Sequence, residues 1–278
     1  MGVIEHWKQK NVSKWQNRVL LALDMDGTTI GSSGQMTPGN CRAMERIRRA
    51  GHVTAFVTGR RMIDMNNLAQ ECRCTDYLIL NNGGKIIRES DGLVEYNRLV
   101  RSENCEKLMK YCCRNGINLQ ICHDDWWMVR EITDDVAEYA GELGVDPGRY
   151  DDYREVNYQG GLEGFMVMDH FKQVKDYLDA ELPGVTCVMS EPDCVDIYAS
   201  GISKWNGIHR LARTEGIEPA NIIAVGNYYN DLDMIENASI GIAVANAIDE
   251  VKEEADYITC CSNEEDVIAE IANVFFGL

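Results

Sequence analysis

Two carboxylates one residue apart, Asp24 and Asp26, follow the continuous apolar run at 20–23 and are followed by a glycine and a threonine. A strand that is apolar on both faces is typical of a parallel sheet covered by helices. Ligands bind such sheets beyond the carboxyl ends of the strands, where both carboxylates are expected. Two carboxylates 4 Å apart repel by about 4 kcal/mol at an effective dielectric near 20. The pattern therefore favours a site for a hard divalent cation over a plain turn after a strand.

Further polar groups are expected at the same edge of the sheet. Thr58 follows a second apolar strand, and its hydroxyl can donate to a phosphate oxygen. Lys204 begins a helix, where a cation is unfavourable unless it faces an anion. The loop after a third apolar strand adds Asn227, Asn230 and Asp231. Each group has an ordinary alternative: a strand-to-helix cap, a solvated lysine, or capping of the next helix. Their common position at the mouth of one α/β core favours a site.

Composition limits the class of protein and its partners. The chain has 278 residues, 45% of them hydrophobic, and a formal net charge of -18. This acidity argues against nucleic acid and against an anionic membrane as partner. The 11 cysteines form no zinc-binding pattern and are interpreted as reduced thiols of a cytoplasmic protein. No apolar signal core or membrane-spanning stretch is found. The sequence leaves the oligomeric state open.

Hydrophobic periodicity predicts two domains. Short apolar strands alternate with helices over 1–86 and 197–278, which is typical of a parallel α/β core. One of these helices is expected near 61–73, and residues 1–17 are interpreted as a leader or first helix. The strand patterns of 87–196 are mixed or alternating, so this segment is predicted to be an inserted α+β domain with an antiparallel sheet.

Four short sequences carry a resemblance to a known family. They are DMDGT at 24–28 (preceded by the apolar run), VTGR at 57–60, SK at 203–204 and GNYYNDLDM at 226–234. Together they resemble the motifs of the haloacid dehalogenase phosphatase superfamily. The long insertion between the second and third motifs resembles the α/β cap of its Cof-type branch. The resemblance implies a doubly wound, Rossmann-like parallel-sheet core with an inserted α+β cap domain.

The resemblance also implies roles for individual residues. Asp24 would be the nucleophile that forms an aspartyl-phosphate, and Asp26 the general acid and base. Thr58 and Lys204 would hold the phosphoryl oxygens. Contacts with substrate are expected from Thr58, Gly59, Arg60, Asn82, Lys204 and Asn230. Trp126, Trp127 and Arg130 of the inserted domain are further candidates, although paired tryptophans on a strand more often serve packing.

Mg²⁺ is the cofactor that the resemblance implies. Its ligands would be Asp24, the backbone carbonyl of Asp26 and the loop containing Asn227 and Asp231. Relatives usually have an aspartate where this chain has Asn227, whose amide can offer an oxygen to a hard cation but no charge. A weaker magnesium site is therefore expected.

The function expected from the sequence is a magnesium-dependent hydrolase. It would remove phosphate from small phosphorylated metabolites, sugar phosphates among them, through an aspartyl-phosphate intermediate. Two alternatives stay open: a phosphomutase of the phosphomannomutase type, and a phosphate-binding relative without turnover. A mutase requires a bisphosphate activator and interconverts isomers, whereas a phosphatase releases inorganic phosphate.

Overall fold

The computed structural model describes residues 17–68, 74–124, 126–191 and 194–278. Apart from Asn17, the leader or first helix expected at 1–17 lies outside these ranges. The chain folds into two compact units. The first comprises the chain up to Thr58, Leu68–Glu95 and Ser203–Leu278, and the second comprises Gly59–Asn67 and Tyr96–Ile202.

Strands and helices alternate along much of the described chain. The strands are β1 (Leu20–Leu23), β2 (Val53–Val57), β3 (Tyr77–Leu80), β4 (Lys85–Arg88), β5 (Val94–Asn97), β6 (Gln120–His123), β7 (Trp126–Val129), β8 (Gly148–Arg149), β9 (Gly164–Val167), β10 (Val185–Glu191), β11 (Cys194–Ala199), β12 (Ile222–Gly226), β13 (Ile240–Ala243) and β14 (Tyr257–Ile258). The α-helices are α1 (Pro38–Arg49), α2 (Ser102–Asn115), α3 (Asp134–Leu143), α4 (Phe171–Glu181), α5 (Lys204–Thr214), α6 (Leu232–Asn237), α7 (Asp249–Glu254) and α8 (Val267–Ile271). Short 3₁₀ segments at Met62–Leu68, Asn81–Gly83 and Tyr229–Asp231 matter for the candidate site and its neighbours.

A sheet of strand order β14-β13-β12-β1-β2-β3-β4-β5 forms the first unit. Strands β14 through β3 pair in parallel, and β4 pairs antiparallel with β3. Every residue of β1, β2 and β12 is buried, as expected for central parallel strands. The predicted α/β class with a parallel-sheet core is confirmed.

Local sequence sets the starts of the helices that flank this sheet. Helix α1 begins after Thr37, whose side chain accepts from the Asn40 backbone N–H, and has a proline at its first position. Helix α5 begins after Ser203, whose hydroxyl accepts from the Asn206 N–H at 3.2 Å. This cap fixes the start of α5, so Lys204 is the first helical residue.

A six-stranded sheet of order β10-β11-β9-β6-β7-β8 forms the second unit. All of its pairs are antiparallel except β7 with β8. Trp127 is buried, donates its Nε1–H to Gln120 Oε1 at 2.8 Å and packs edge-on against Tyr139. Trp126 is half-buried against the hydrophobic core of this unit. Packing therefore explains Trp127 without a ligand.

The bounds of the second compact unit differ from those of the predicted inserted domain, 87–196. Strands β4 and β5 continue the large sheet, so the first unit extends to Glu95. Gly59–Asn67 belongs to the second unit. The helix expected near 61–73 is a 3₁₀ helix over Met62–Leu68, and residues 69–73 lie outside the described ranges. The sequence predicted β3 but not β4, which follows the polar Asn-Asn-Gly-Gly segment at 81–84, so the antiparallel β3–β4 hairpin was missed.

No described helix is both long and apolar enough to cross a membrane. The cysteines in the described ranges are free thiols.

Candidate active site

The carboxyl ends of three neighbouring strands place the predicted residues at one edge of the sheet. Leu23 of β1 pairs with Phe56 of β2 and with Val225 of β12. The backbone N–H of Asp24 continues this ladder by donating to the Val225 carbonyl at 2.9 Å. This register sets Asp24 level with Val57 and Gly226, and Thr58 and Asn227 follow one residue further along the same edge of the sheet.

A buried ion-pair cluster occupies this edge. Lys204 Nζ lies 2.7 Å from Asp24 Oδ1 and 2.6 Å from Asp231 Oδ1. All three side chains are buried, with Lys204 and Asp231 at 1% and 0% exposure. Burial of charge is costly unless the charges are paired and hydrogen-bonded, as they are here. Two carboxylates share one ammonium, so the cluster carries one net negative charge when all three groups are ionised.

The pKa values of this cluster reflect burial and mutual charge. Burial raises the pKa of Asp24 to about 7, the Asp231 carboxylate adds to the rise, and Lys204 opposes it. Burial also works against the charge of Lys204, but the carboxylates of Asp231 and Asp24 raise its pKa overall. Lys204 therefore stays protonated, and a second cation near Asp24 would stabilise its ionised form.

Asp26 differs from Asp24 in its surroundings. Its side chain is exposed, whereas Asp24 is only 5% exposed. The segment after β1 folds around one carbonyl: the N–H groups of Thr28, Thr29 and Ile30 all donate to Met25 O at 2.9–3.2 Å. This turn buries the first carboxylate and presents the second to solvent.

The loop after β12 is organised by Asp231. Its Oδ2 accepts from the N–H groups of Asn227 at 2.7 Å and Tyr228 at 3.0 Å, while its Oδ1 faces Lys204. A Cβ at Gly226 would lie 2.5 Å from the Asp231 Cβ, so the close turn requires glycine there. Asp231 thus fixes the backbone of the loop and, with it, the side chain of Asn227.

The Asn227 amide points into a group of oxygens. In one orientation its Oδ1 accepts from Thr28 Oγ1 at 2.9 Å. In the orientation turned by 180° about the terminal bond, Nδ2 takes that position with four acceptors within hydrogen-bond distance of its two N–H donors: Thr28 Oγ1 at 2.9 Å, Asp24 Oδ2 at 3.1 Å, Asp26 O at 3.2 Å and Asp231 Oδ2 at 3.3 Å. Hydrogen bonds favour the second orientation when only protein atoms surround the amide.

These oxygens fit a magnesium ion. Oxygen ligands at 2.0–2.1 Å from Mg²⁺ in octahedral geometry lie about 2.9 Å from their neighbours. The terminal atom of Asn227 is 3.1–3.3 Å from Asp24 Oδ2, Asp26 O and Asp231 Oδ2, close to that spacing. No three His, Cys, Asp or Glu side chains of the described ranges form a metal-binding group. A cation here would rely on the amide and one backbone carbonyl besides the carboxylates.

A strained turn after β3 approaches the same edge. Asn81 and Asn82 both have left-handed backbone, with φ of 54° and 50°, which non-glycine residues adopt mainly at functional or tightly constrained positions. The Asn82 N–H donates to Thr58 O at 2.9 Å, and Asn82 Oδ1 accepts from Asn230 Nδ2 at 3.1 Å. Three predicted substrate contacts, Thr58, Asn82 and Asn230, are therefore connected.

Close backbone contact joins this turn to helix α5. A Cβ at Gly83 would lie 2.1 Å from the Ser203 carbonyl oxygen, and Gly83 has a φ of +100°. A Cβ at Gly207 would lie 2.8 Å from the α-carbon of Gly83. Both glycines let the start of α5 sit against the end of β3, which brings Lys204 to Asp24.

Two predicted substrate contacts, Gly59 and Arg60, fall in the second unit. The Arg60 guanidinium donates to the Asp64 carbonyl at 3.2 Å. Its neighbour Arg61 is buried, pairs with Asp64 through two hydrogen bonds of 2.7 and 2.8 Å and lies over the ring of Trp127. Arg61 fixes this segment to the second unit, a role that the sequence did not reveal because its contacts with Cys122, Trp127 and Tyr139 join residues more than 60 positions apart.

Two further residues near the carboxylates were missed. Thr28 is fully buried and contacts the Asn227 amide, and Thr29 Oγ1 donates to the Asp24 carbonyl at 2.9 Å. Thr28 belongs to the recognised motif, but its contact with a residue 199 positions away depends on the pairing of β1 with β12.

Comparison with known proteins identifies relatives along nearly the whole chain. The family model of haloacid dehalogenase-like hydrolases matches residues 21–271. The chain is 27% identical over 254 residues to the 5-amino-6-(5-phospho-D-ribitylamino)uracil phosphatase YcsE of Bacillus subtilis, covering 90% of this chain and 93% of the relative.

Solved structures share the fold. A haloacid dehalogenase-like hydrolase from Bacteroides thetaiotaomicron has a TM-score of 0.80 at 25% identity, covering 92% of this chain and 98% of that one. The subclass IIB sugar phosphatase BT4131 has a TM-score of 0.82 at 23% identity, covering 94% of this chain and all of that one. At 23% identity, the similarity to BT4131 shows a shared fold only.

Proposed function

The chain belongs to the haloacid dehalogenase-like hydrolases and is a phosphatase of that family, and we propose that it hydrolyses small phosphorylated metabolites with the help of Mg²⁺. The single observation that carries this proposal is the Asp24–Lys204–Asp231 cluster at the carboxyl end of β1. It offers a nucleophile, a fixed positive charge and a surplus negative charge suited to a cation. Phosphoryl transfer needs this combination of positioning and charge neutralisation.

Asp24 is the proposed nucleophile. One of its oxygens, Oδ1, contacts Lys204, and the other, Oδ2, faces the oxygens around Asn227. A carboxylate oxygen attacks phosphorus, the bond from phosphorus to the ester oxygen breaks, and an aspartyl-phosphate forms. The Lys204 ammonium, 2.7 Å from Oδ1, then lies where it can neutralise charge on the transferring phosphoryl group.

Asp26 is the proposed general acid and base. Its exposed side chain lies two residues beyond the nucleophile and can exchange protons with water. It gives a proton to the leaving oxygen in the first step. In the second step it accepts a proton from the water that attacks the aspartyl-phosphate, and phosphate and Asp24 are released.

Residues of the first unit would hold the phosphoryl group and the metal. Thr58 and Lys204 are the proposed partners of the phosphoryl oxygens, with Asn82 and Asn230 beside them. Asp24, the Asp26 carbonyl, Asn227 and Asp231 would hold Mg²⁺. When bound, the cation neutralises negative charge on the phosphoryl group and on Asp24.

The proposed substrate class rests on resemblance. YcsE acts on a phosphorylated ribityl compound, and the fold relative BT4131 is a sugar phosphatase. We propose phosphorylated sugars or polyols for this chain, with the second unit selecting among them. Replacing Arg98–Ile202 by a short linker, which leaves β5 intact, should then leave hydrolysis of p-nitrophenyl phosphate but remove the preference among sugar phosphates. An unchanged preference would assign selection to the first unit.

A panel of phosphorylated sugars and polyols, assayed for inorganic phosphate with and without Mg²⁺, tests the activity. Wild-type protein should release phosphate from some of them in the presence of Mg²⁺. Asp24→Asn should keep less than a few per cent of that rate, whereas the same change at exposed Asp91 should have little effect. Isomerised products that require a bisphosphate activator would indicate a mutase instead. Substantial turnover by Asp24→Asn would contradict the covalent mechanism.

A further inference from the structure

The Asn227 side chain combines a fixed backbone with two possible amide orientations. Its N–H donates to Asp231 Oδ2 at 2.7 Å, and its carbonyl accepts from the Ile248 N–H at 3.0 Å. The peptide groups before and after the Asn227 α-carbon are therefore both held in place. A Cβ at Gly27 would lie 2.4 Å from the Asn227 amide, so the absence of that Cβ leaves room for the amide group. Rotation of the amide about its terminal bond requires no movement of the chain.

Thr28 can accommodate either orientation. A hydroxyl carries one rotatable donor and two acceptor lone pairs. Its Oγ1, 2.9 Å from the terminal atom of Asn227, donates to Oδ1 in one orientation and accepts from Nδ2 in the other. The contact therefore opposes neither state.

The surrounding oxygens respond differently to the two orientations. Lys204 contacts Oδ1 of both Asp24 and Asp231, so the remaining Oδ2 atoms of both carboxylates face Asn227. Without a cation, an Asn227 oxygen placed 3.1 Å from Asp24 Oδ2 and 3.3 Å from Asp231 Oδ2 would repel both. With Nδ2 in that place, the amide donates to these atoms instead. A cation bound by the same oxygens would require Asn227 to present its oxygen.

We propose that the Asn227 amide is a two-position element of the magnesium site: Nδ2 faces the carboxylate oxygens in the metal-free protein, and Oδ1 faces the cation when it binds. The proposal rests on the proposed function, because it assumes that Mg²⁺ binds among these oxygens. The amide substitutes for the cation in its absence and keeps the two carboxylates in place. The cost is a lower metal affinity, since binding must replace the hydrogen bonds that the amide makes.

An aspartate at this position could not do the same. Asn227→Asp has nearly the same shape but has no N–H group and adds a negative charge beside Asp24 and Asp231. The metal-free variant should therefore be less stable than wild type, and it should bind Mg²⁺ more tightly because it brings one more charged ligand. Asn227→Ala removes both the donor and the oxygen ligand. It should lose stability without gaining affinity for the metal.

Thermal unfolding of wild type, Asn227→Asp and Asn227→Ala, each first stripped with EDTA, tests these expectations without reference to activity. Without metal, wild type should have the highest Tm and Asn227→Asp the lowest, by on the order of 5 °C or more. Saturating Mg²⁺ should raise the Tm most in Asn227→Asp and least in Asn227→Ala. Calorimetric titration should show a Kd for Mg²⁺ roughly 10-fold lower in Asn227→Asp than in wild type.

A measurement on unaltered protein covers the case in which a variant does not fold. The side-chain NH₂ resonances of Asn227 in ¹⁵N-labelled wild type, identified by their absence in either variant or by through-bond assignment, should show slow hydrogen exchange without metal and faster exchange with Mg²⁺. Equal exchange in both states would overturn the proposal, as would a metal-free Asn227→Asp at least as stable as wild type. Neither outcome would bear on the proposed phosphatase function, which the assay of phosphate release tests separately. A lack of any Mg²⁺ effect on Tm in all three proteins would overturn the proposal together with the magnesium site.

Discussion

The Lys204 ammonium is expected to hold the candidate site together, and its removal gives the sharpest test of the electrostatics. It contacts Asp24 at 2.7 Å and Asp231 at 2.6 Å with all three groups buried. Lys204→Met keeps the length and the apolar part of the side chain but leaves two carboxylates without their cation. Breaking a buried ion pair by removing one partner costs about 3–5 kcal/mol. For a chain of this size, that corresponds to a fall in Tm of roughly 5–9 °C, since the entropy of unfolding scales with chain length.

The cost should depend on pH with a definite sign. Burial already raises the pKa of Asp24 from 3.8 to about 7, and Lys204 opposes that rise. Without Lys204 the pKa rises further, so the folded variant binds a proton that the unfolded chain does not bind near neutral pH. Stability then falls as pH rises through this window. Lys204→Met should therefore lose more stability at pH 8 than at pH 6.

Urea unfolding in EDTA at both pH values measures these differences. Arg49→Met is the matched control in the same unit, because it removes an exposed ion pair with Glu45 and should change stability by less than about 1 kcal/mol. Lys204→Met combined with Asp231→Asn removes one of the two unpaired charges and should be more stable than Lys204→Met alone. A Lys204→Met protein as stable as the Arg49→Met control, or equally destabilised at pH 6 and pH 8, would refute the reasoning.

Three further predictions concern the chemistry, the pH response and the backbone. Asp26→Asn should retain substrate binding but lose roughly 10²–10⁴-fold in turnover, measured as kcat, and an unchanged kcat would remove Asp26 from the mechanism. Burial lowers the pKa of His52 below 6.5, so the folded protein binds fewer protons there and loses stability as pH falls below that value. Urea unfolding between pH 7 and pH 5 should show a smaller loss of stability in His52→Asn than in wild type. An identical pH profile in the two proteins would contradict this role of His52. Gly83→Ala should lower the free energy of unfolding by about 3 kcal/mol, because the added Cβ strains the backbone and collides with the Ser203 carbonyl. Gly216→Ala also has a positive φ but meets open space, so it should lower the free energy of unfolding by only about 1 kcal/mol. Equal losses in urea unfolding would show that the close contact with α5 is unimportant.

The sequence by itself determined the class of fold and the family. The fully apolar strand that precedes Asp24 is typical of a sheet covered on both faces, and the four motifs follow one another in order along the chain. Local rules also placed the start of helix α5, because the cap at Ser203 requires only nearby backbone groups. The confirmed assignment to a phosphatase family followed from these short-range patterns.

Only the tertiary structure determined which residues of the site contact one another. The sequence offered Asp231 as a metal ligand, but pairing of β1 with β12 and close packing of α5 also engage it with Lys204 and with the backbone of its own loop. The same packing surrounds the Asn227 amide with oxygens from the segment after β1 and from Asp231. Contacts between residues about 200 positions apart depend on strand register and on glycine-permitted approach, and neither is encoded in local periodicity.

The division of the chain into two units also depends on tertiary contacts. Gly59–Asn67 follows a core strand, and its sequence gives no sign that it packs elsewhere. Arg61 nevertheless belongs to the second unit, because Cys122 and Tyr139, distant in the chain, join its neighbour Asp64 in satisfying its buried guanidinium there. A buried charge must lie where its partners are, and those partners come together only when the chain has folded.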